Sequence, residues 1–378
     1  MRAYDHHARY SSACYIVDGL SGEDMVKSTE CMPDPQPRAD TWASLCITQC
    51  SEGLPLIKAV LHASTVEQSW MPDFDSFCRE SIPVIEQGRF KVEQVVRSFS
   101  EGSKAQIEII SDRSIGGRKL LAKRFPPTYL QDDPESFRTS DPCSCDDPWT
   151  EIFLAMRLGH GSSRVPGVVP CHGVYRDSRE DVLLMLDWAP GGDLFQLAGN
   201  LGEPGPDREA TASQVLCSLL EAVTALHRKG IAHGNVSAEN AVLRMDGAEI
   251  QVALIDFAMA LHDTDLSAVT GARGKLMYRA PETVGEHAIY DARTADLFAC
   301  GVVGYVLATG TYPWQSTAGD CKAFAYVQKH GPRRFFEKRT LSVGASKVQI
   351  SQVLSPHFQS VLASLIEPNP AKRRVPWE

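Results

Sequence analysis

The run ADLFACGVVGYVLATG, from Ala295 to Gly310, constrains the fold of this chain more than any other stretch. Its apolar residues do not keep to one face of a helix. A helix that is apolar on all sides belongs inside a protein, so the pattern predicts a buried helix around which other elements pack. The run carries one carboxylate, Asp296. An unpartnered charge is costly to bury, so Asp296 needs hydrogen-bond donors.

Upstream, EATASQVLCSLLEAVTALHRKG (Glu209 to Gly230) has apolar residues at helical spacing, a basic last turn and Gly230 as C-cap. Before Gly191 the pattern changes. RFKVEQVVRSF, AQIEIIS, RKLLAKRF, GVYRD and VLLMLDW are short β-rich runs separated by turn residues. A β-rich part followed by an α-rich part, joined by DWAPGG, predicts a two-lobed α+β architecture, with ligands held between the lobes. The expected division is an N-terminal extension over 1–87, a small lobe over 88–188 and a helical lobe over 189–378. Within the extension, Asp40 to Ser64 reads as strand, turn, then helix. The Pro-, Asp- and Ser-rich stretch at about 126–148 reads as an exposed insertion on the small lobe.

A chain of 378 residues, 43% hydrophobic and 22% charged, can build a large globular core. Its net charge of −9 argues against nucleic acid or an anionic membrane as the main partner. No apolar run approaches the ~20 residues a membrane helix needs, and MRAYDHHARYSS has no apolar signal core. The expectation is an intracellular, cytoplasmic protein. Of eleven cysteines, only Cys143 with Cys145 and Cys46 with Cys50 are close pairs. A zinc site needs two such pairs at ligand spacing, or a pair with histidines, so the cysteines read as reduced structural thiols.

Eight stretches carry the chemistry. In order they are SEGSKAQI (Ser100 to Ile107), LLAKRF with Lys123, DDPWTEIFLAMRLG with Glu151, LLMLDWAPGGDLF, HGNVSAEN (His233 to Asn240), LIDFAMA with Asp256, GARGKLMYRAPE and NPAKRRVP with Arg373. From about residue 90 to the C-terminus, this series resembles the eukaryotic protein kinase family.

The resemblance implies ATP and Mg2+ as cofactors and a protein substrate or protein partner. Of the glycine-rich loop G-x-G-x-x-G-x-V only Gly102 remains, with Ser100 and Ala105 at the other glycine positions. Lys123 stands where the family contacts the α- and β-phosphates, and Glu151 where it pairs with that lysine. The backbone of Asp187 to Ala189 would bond the adenine edge. Ile107, Leu121 and Val242 would flank the ring, or are simply core. Asp193 would accept from the ribose, or caps the following helix. Asp256 and Asn240 would hold magnesium, which takes oxygen ligands and substrate phosphates. Glu282 would pair with Arg373, His233 would pack on Phe257, and Asp296 would accept from the catalytic loop.

The departures lie mainly in that loop. Against the family's H-R-D-L-K-x-x-N, this chain has Gly234, Asn235 and Ser237 for the Arg, Asp and Lys; Ala258 replaces the glycine of D-F-G. Asn235 at the base position can orient a hydroxyl through its amide oxygen but cannot take its proton. General-base help is worth about 10²–10⁴ in rate, whereas phosphoryl transfer rests mainly on positioning and charge neutralisation. Lys275, in GARGK, either reaches the space Ser237 leaves or faces solvent. Gly234 removes the arginine that usually receives a phosphorylated activation loop. Two readings follow. The favoured one is a kinase-like, ATP-binding protein with weak or absent phosphotransfer that acts through a partner, as a pseudokinase does. The alternative is an active serine/threonine protein kinase transferring the ATP γ-phosphate to protein hydroxyls.

Overall fold

The computed structural model describes residues 74–375, apart from 100–103, 162–163, 247–248 and 286. The strand–turn–helix reading of Asp40 to Ser64 and the position of Gly102 lie outside the described residues.

The β-rich half forms one antiparallel sheet. Its strands are β1 (Phe90–Arg97), β2 (Gln106–Asp112), β3 (Arg118–Phe125), β4 (Cys171–Arg176) and β5 (Val182–Asp187), in the spatial order β1-β2-β3-β5-β4. Between β3 and β4 lie helices α1 (Pro127–Leu130), α2 (Pro134–Ser140) and α3 (Pro148–Gly159). Side chains alternate across a strand, and β3 sorts accordingly. Leu120 and Ala122 join Ile110, Leu183 and Met185 in a small cluster on one face. Leu121 and Phe125 join the main core with Ile152 and Leu154 of α3. Lys123 shares their parity.

The stretch read as an exposed insertion is instead structured. It supplies α1 and α2, and Leu130 and Phe137 are fully buried. The Trp149 indole Nε1–H donates to the Leu130 carbonyl at 2.8 Å and fixes α1 against the start of α3. The apolar residues of TYL and SF, too few to show a period, drive this burial. Residues from Phe74 onward also pack on the small lobe. The Phe74 and Phe77 rings lie 5.0 and 5.5 Å from Phe153 and Trp149 of α3, and Ile85 N–H donates to Arg176 at 2.9 Å.

The helical half begins with α4 (Leu194–Asn200) and α5 (Pro206–Arg228), followed by the hairpin β6 (Ala241–Asp246) and β7 (Glu249–Leu254). Short strands β8 (Val269–Thr270) and β9 (Ile289–Tyr290) precede α6 (Ala292–Thr309). Then come α7 (Lys322–Lys338), β10 (Thr340–Val343), β11 (Ser346–Gln349), α8 (Ile350–Val353) and α9 (Pro356–Leu365). As its composition requires, α6 is the central helix. Its glycines admit close neighbours: a Cβ at Gly304 would lie 2.8 Å from Leu216 of α5, and one at Gly301 2.7 Å from Leu365 of α9. α6 stops at Gly310, which is left-handed with φ 71°. The result is the two-lobed α+β architecture expected from the strand and helix patterns. Among the described residues, no helix is long and apolar enough to cross a membrane.

Candidate active site

Lys123 sits on the face of β3 that meets α3. That helix starts sharply, because the Asp147 side chain accepts from the N–H groups of Trp149 (2.8 Å) and Thr150 (3.2 Å) and Pro148 follows it. Its first turn carries Glu151. The Lys123 ammonium donates to both Glu151 oxygens, at 2.6 and 2.7 Å, and lies 3.5 Å from Asp256 Oδ1. All three side chains are at most 3% exposed. Burial works against the charged lysine, but Asp256 and Glu151 outweigh it and hold its pKa above the ordinary lysine value.

A further carboxylate belongs to this site. Asp146, in the loop before α3, is pushed up to about 6 by burial and then by the charge of Asp256. Its Oδ2 lies 3.6 Å from the ammonium of Lys104, two residues before β2. Asp146, Glu151 and Asp256 thus share two ammonium groups, Lys123 and Lys104, and burial also raises the Glu151 pKa, to about 8. In the sequence the only sign of Asp146 was the paired DD before the helix.

Asp256 follows β7 and takes a left-handed φ of 64°, uncommon outside glycine and best tolerated by Asn and Asp. Ile255 N–H donates to the Asn240 carbonyl at 3.0 Å, which sets Asp256 beside the catalytic loop. The Asn240 amide donates to the Asn235 carbonyl at 2.9 Å, fixing which of its two ends remains. Asn240 Oδ1, Asp256 Oδ2 and Asn235 Oδ1 are buried and have no hydrogen-bond partner. Unpaired buried acceptors are costly. An oxygen-seeking cation such as Mg2+ would satisfy one carboxylate and one amide oxygen here, so the residues present fit it.

The catalytic loop is pinned from below by α6. Asp296 accepts from the N–H groups of His233 (2.8 Å) and Gly234 (3.0 Å), and pairs with His227 Nε2 at 3.0 Å. His233 is fully buried, and burial lowers its pKa. As a neutral ring it donates from Nε2 to the Ile255 carbonyl at 3.0 Å and accepts at Nδ1 from Asn235 N–H at 3.3 Å, packed 5.1 Å from Phe257. Arg373 grips Glu282 with two N–H groups. Lys275 is not a solvent-facing lysine. Its ammonium lies beside Ser237 and Glu239, and its side chain is 10% exposed.

The hinge differs from expectation in detail. The Asp187 N–H is bonded to the Pro170 carbonyl at 2.8 Å, and its carboxylate binds Arg118, His172 and Arg244 at 2.6, 2.8 and 2.9 Å. The Ala189 carbonyl accepts from Gly192 N–H at 3.1 Å. Asp193 caps α4, accepting from Gln196 N–H at 2.8 Å, and burial raises its pKa to about 7. Ile107, Leu121 and Val242 are buried in the main core with Leu186 and Ala189.

A small sheet-based lobe bearing a lysine–glutamate pair, set over a helical lobe that presents Asp256 and Asn240, defines the protein kinase fold. The sequence model of the protein kinase domain matches residues 144–376, and the chain belongs to the eukaryotic protein kinase family. It is 31% identical over 164 residues to the mitosis inducer protein kinase cdr1 of Schizosaccharomyces pombe, a match covering 43% of this chain and 26% of that protein. It is 30% identical over 229 residues to CBL-interacting protein kinase 4 of Oryza sativa subsp. japonica, covering 59% of this chain and 44% of the relative. CBL-interacting protein kinase 1 of the same plant is 27% identical over 295 residues, covering 76% and 51%. The chain therefore spans between a quarter and about half of the length of these relatives.

Proposed function

We propose that this chain binds ATP with Mg2+ between its lobes, transfers phosphate weakly or not at all, and acts on a protein partner. The observation that carries this reading is the buried meeting of Lys123, Glu151 and Asp256, with unpartnered oxygens on Asp256 and Asn240 beside it. Glu151 holds the Lys123 ammonium where it meets the α- and β-phosphates. Asp256 and Asn240 are the residues that would hold Mg2+. The metal, when bound, supplies charge neutralisation across the phosphates. The Ala189 N–H serves the adenine edge, with Ile107, Leu121 and Val242 on the ring faces. Asp193 keeps its cap on α4 with one oxygen and offers the other to the ribose. Asn235 can orient a substrate hydroxyl but leaves its proton in place, which is why transfer is slow.

The alternative, an active serine/threonine kinase, is favoured by Lys275, which supplies near Ser237 the positive charge that Ser237 itself lacks. Under that reading phosphoryl transfer needs no strong base, because positioning and charge dominate.

The test uses the full chain. A thermal shift with Mg·ATP that is absent with ATP plus a chelator is expected, and Asp256→Asn should abolish the metal-dependent part. No shift with any nucleotide would overturn the reading. Rapid transfer of labelled phosphate to a generic protein substrate would replace weak transfer with the second reading.

A further inference from the structure

The space around Gly234, where the family has arginine, is already filled. Gly234 has φ 71°, and a Cβ there would sit 2.3 Å from the Met259 carbonyl oxygen and 3.5 Å from Cδ of Arg273. An arginine rooted at 234 would have to displace that carbonyl. Arg273 reaches the same place from the segment on the other side. Its Nη1 donates to the Met259 carbonyl at 3.3 Å and to the Cys145 carbonyl at 3.4 Å.

Those two carbonyls belong to the segments that the site must keep together. Met259 lies just past Asp256, Phe257 and Ala258, while Cys145 lies just before Asp146 and the start of α3. Beside the guanidinium, Asp147 N–H donates to the Ala258 carbonyl at 2.8 Å, a second link between the same segments. Gly274 N–H faces Met259 Sδ at 3.3 Å. Gly274 has φ 80°, and a Cβ on it would come within 3.0 Å of the Gly234 carbonyl. The two glycines thus let the Arg273 segment lie directly on the catalytic loop.

We propose that Arg273 is a positioning residue for the nucleotide site. Its guanidinium takes over the place left by Gly234 and ties the Asp256 loop to the start of α3, so that Asp256 and Glu151 stay converged on Lys123. It acts through the Met259 and Cys145 carbonyls and touches neither nucleotide nor metal. Both bonds leave the same nitrogen, Nη1, at the far end of the longest cationic side chain, and a lysine at 273 would have to carry its ammonium to that point on a shorter stem. As regards ligands, this inference rests on the reading given under Proposed function.

The test compares the full chain with Arg273→Met and Arg273→Lys in two ways. The first is deuterium exchange at the Asp147 amide without nucleotide. Faster exchange, by about tenfold, is expected in Arg273→Met, because losing the clamp frees the neighbouring link. The second is calorimetric affinity for Mg·ATP and for adenosine. Affinity for Mg·ATP should fall about tenfold while that for adenosine holds, since only the metal and phosphates depend on Asp256. Arg273→Lys should fall between the two, and it carries the comparison if Arg273→Met does not fold. Unchanged exchange at Asp147 would overturn the proposal, as would equal losses for adenosine and Mg·ATP. A parent chain that binds neither ligand would overturn the nucleotide reading, and exchange at Asp147 would still decide the role of Arg273.

Discussion

The Lys275 ammonium lies 3.2 Å from the Ser237 hydroxyl and 3.0 Å from Glu239 Oε1. Tyr278 steadies the arrangement by donating to the other Glu239 oxygen at 3.2 Å. A charge that the family carries on the catalytic loop is here delivered by the segment lying against it. If the ammonium meets the terminal phosphate, Lys275→Met should lower affinity for Mg·ATP several-fold and leave Mg·ADP unchanged. The double variant Ser237→Lys, Lys275→Thr should restore the preference. Calorimetry with both nucleotides checks this, and an ATP-to-ADP ratio untouched by Lys275→Met would refute it.

Asp193 makes stability depend on pH. Burial, with the charge of Glu239, raises its pKa to about 7, against an ordinary value of 3.8. Between those values the folded chain holds a proton that the unfolded chain has released, so stability falls as pH rises through the window. Asp193→Asn keeps an oxygen for the α4 cap and has no charge to bury. The nucleotide-free variant should melt higher than the parent at pH 8, and its melting temperature should vary less between pH 4 and 7. Parallel melting curves for the two proteins would contradict this.

Asn235 is 4% exposed, its side-chain oxygen is unpartnered, and Gly274 packs against it. Asn235→Asp changes charge but hardly shape. Phosphate transfer from labelled ATP should then rise by a factor on the order of 10²–10⁴. A variant that binds Mg·ATP and stays as slow as the parent would mean that another group, not the base, limits transfer.

Much of the site could be read from residue order. Lys123, Glu151, Asn240 and Asp256 were marked by the ordered motifs that resemble the kinase family, and the structure brings all four together. The buried helix at Ala295 to Thr309 was equally plain, because an apolar run with one carboxylate has few places to go. What escaped reading was set by contacts between distant segments. Whether Lys275 faced solvent or Ser237 depends on how the activation segment lies on the catalytic loop, which no periodicity encodes. Arg273 carried no sequence signal for the same reason. Asp146 and the helices at Pro127–Leu130 and Pro134–Ser140 were hidden by composition: proline, serine and aspartate mark exposed loops, yet here they cap short helices whose few apolar side chains are buried. Asp187 was noticed for its backbone, while its carboxylate had no local sequence signal at all.

That carboxylate bears on how the two lobes are joined. Asp187 holds Arg118 and His172 of the sheet lobe and Arg244 of the helical lobe. The two arginines are 51% and 37% exposed, so each pair adds little to stability. Their geometry matters more. The carboxylate is therefore one shared anchor across the seam between the lobes, with cationic partners on both sides of it.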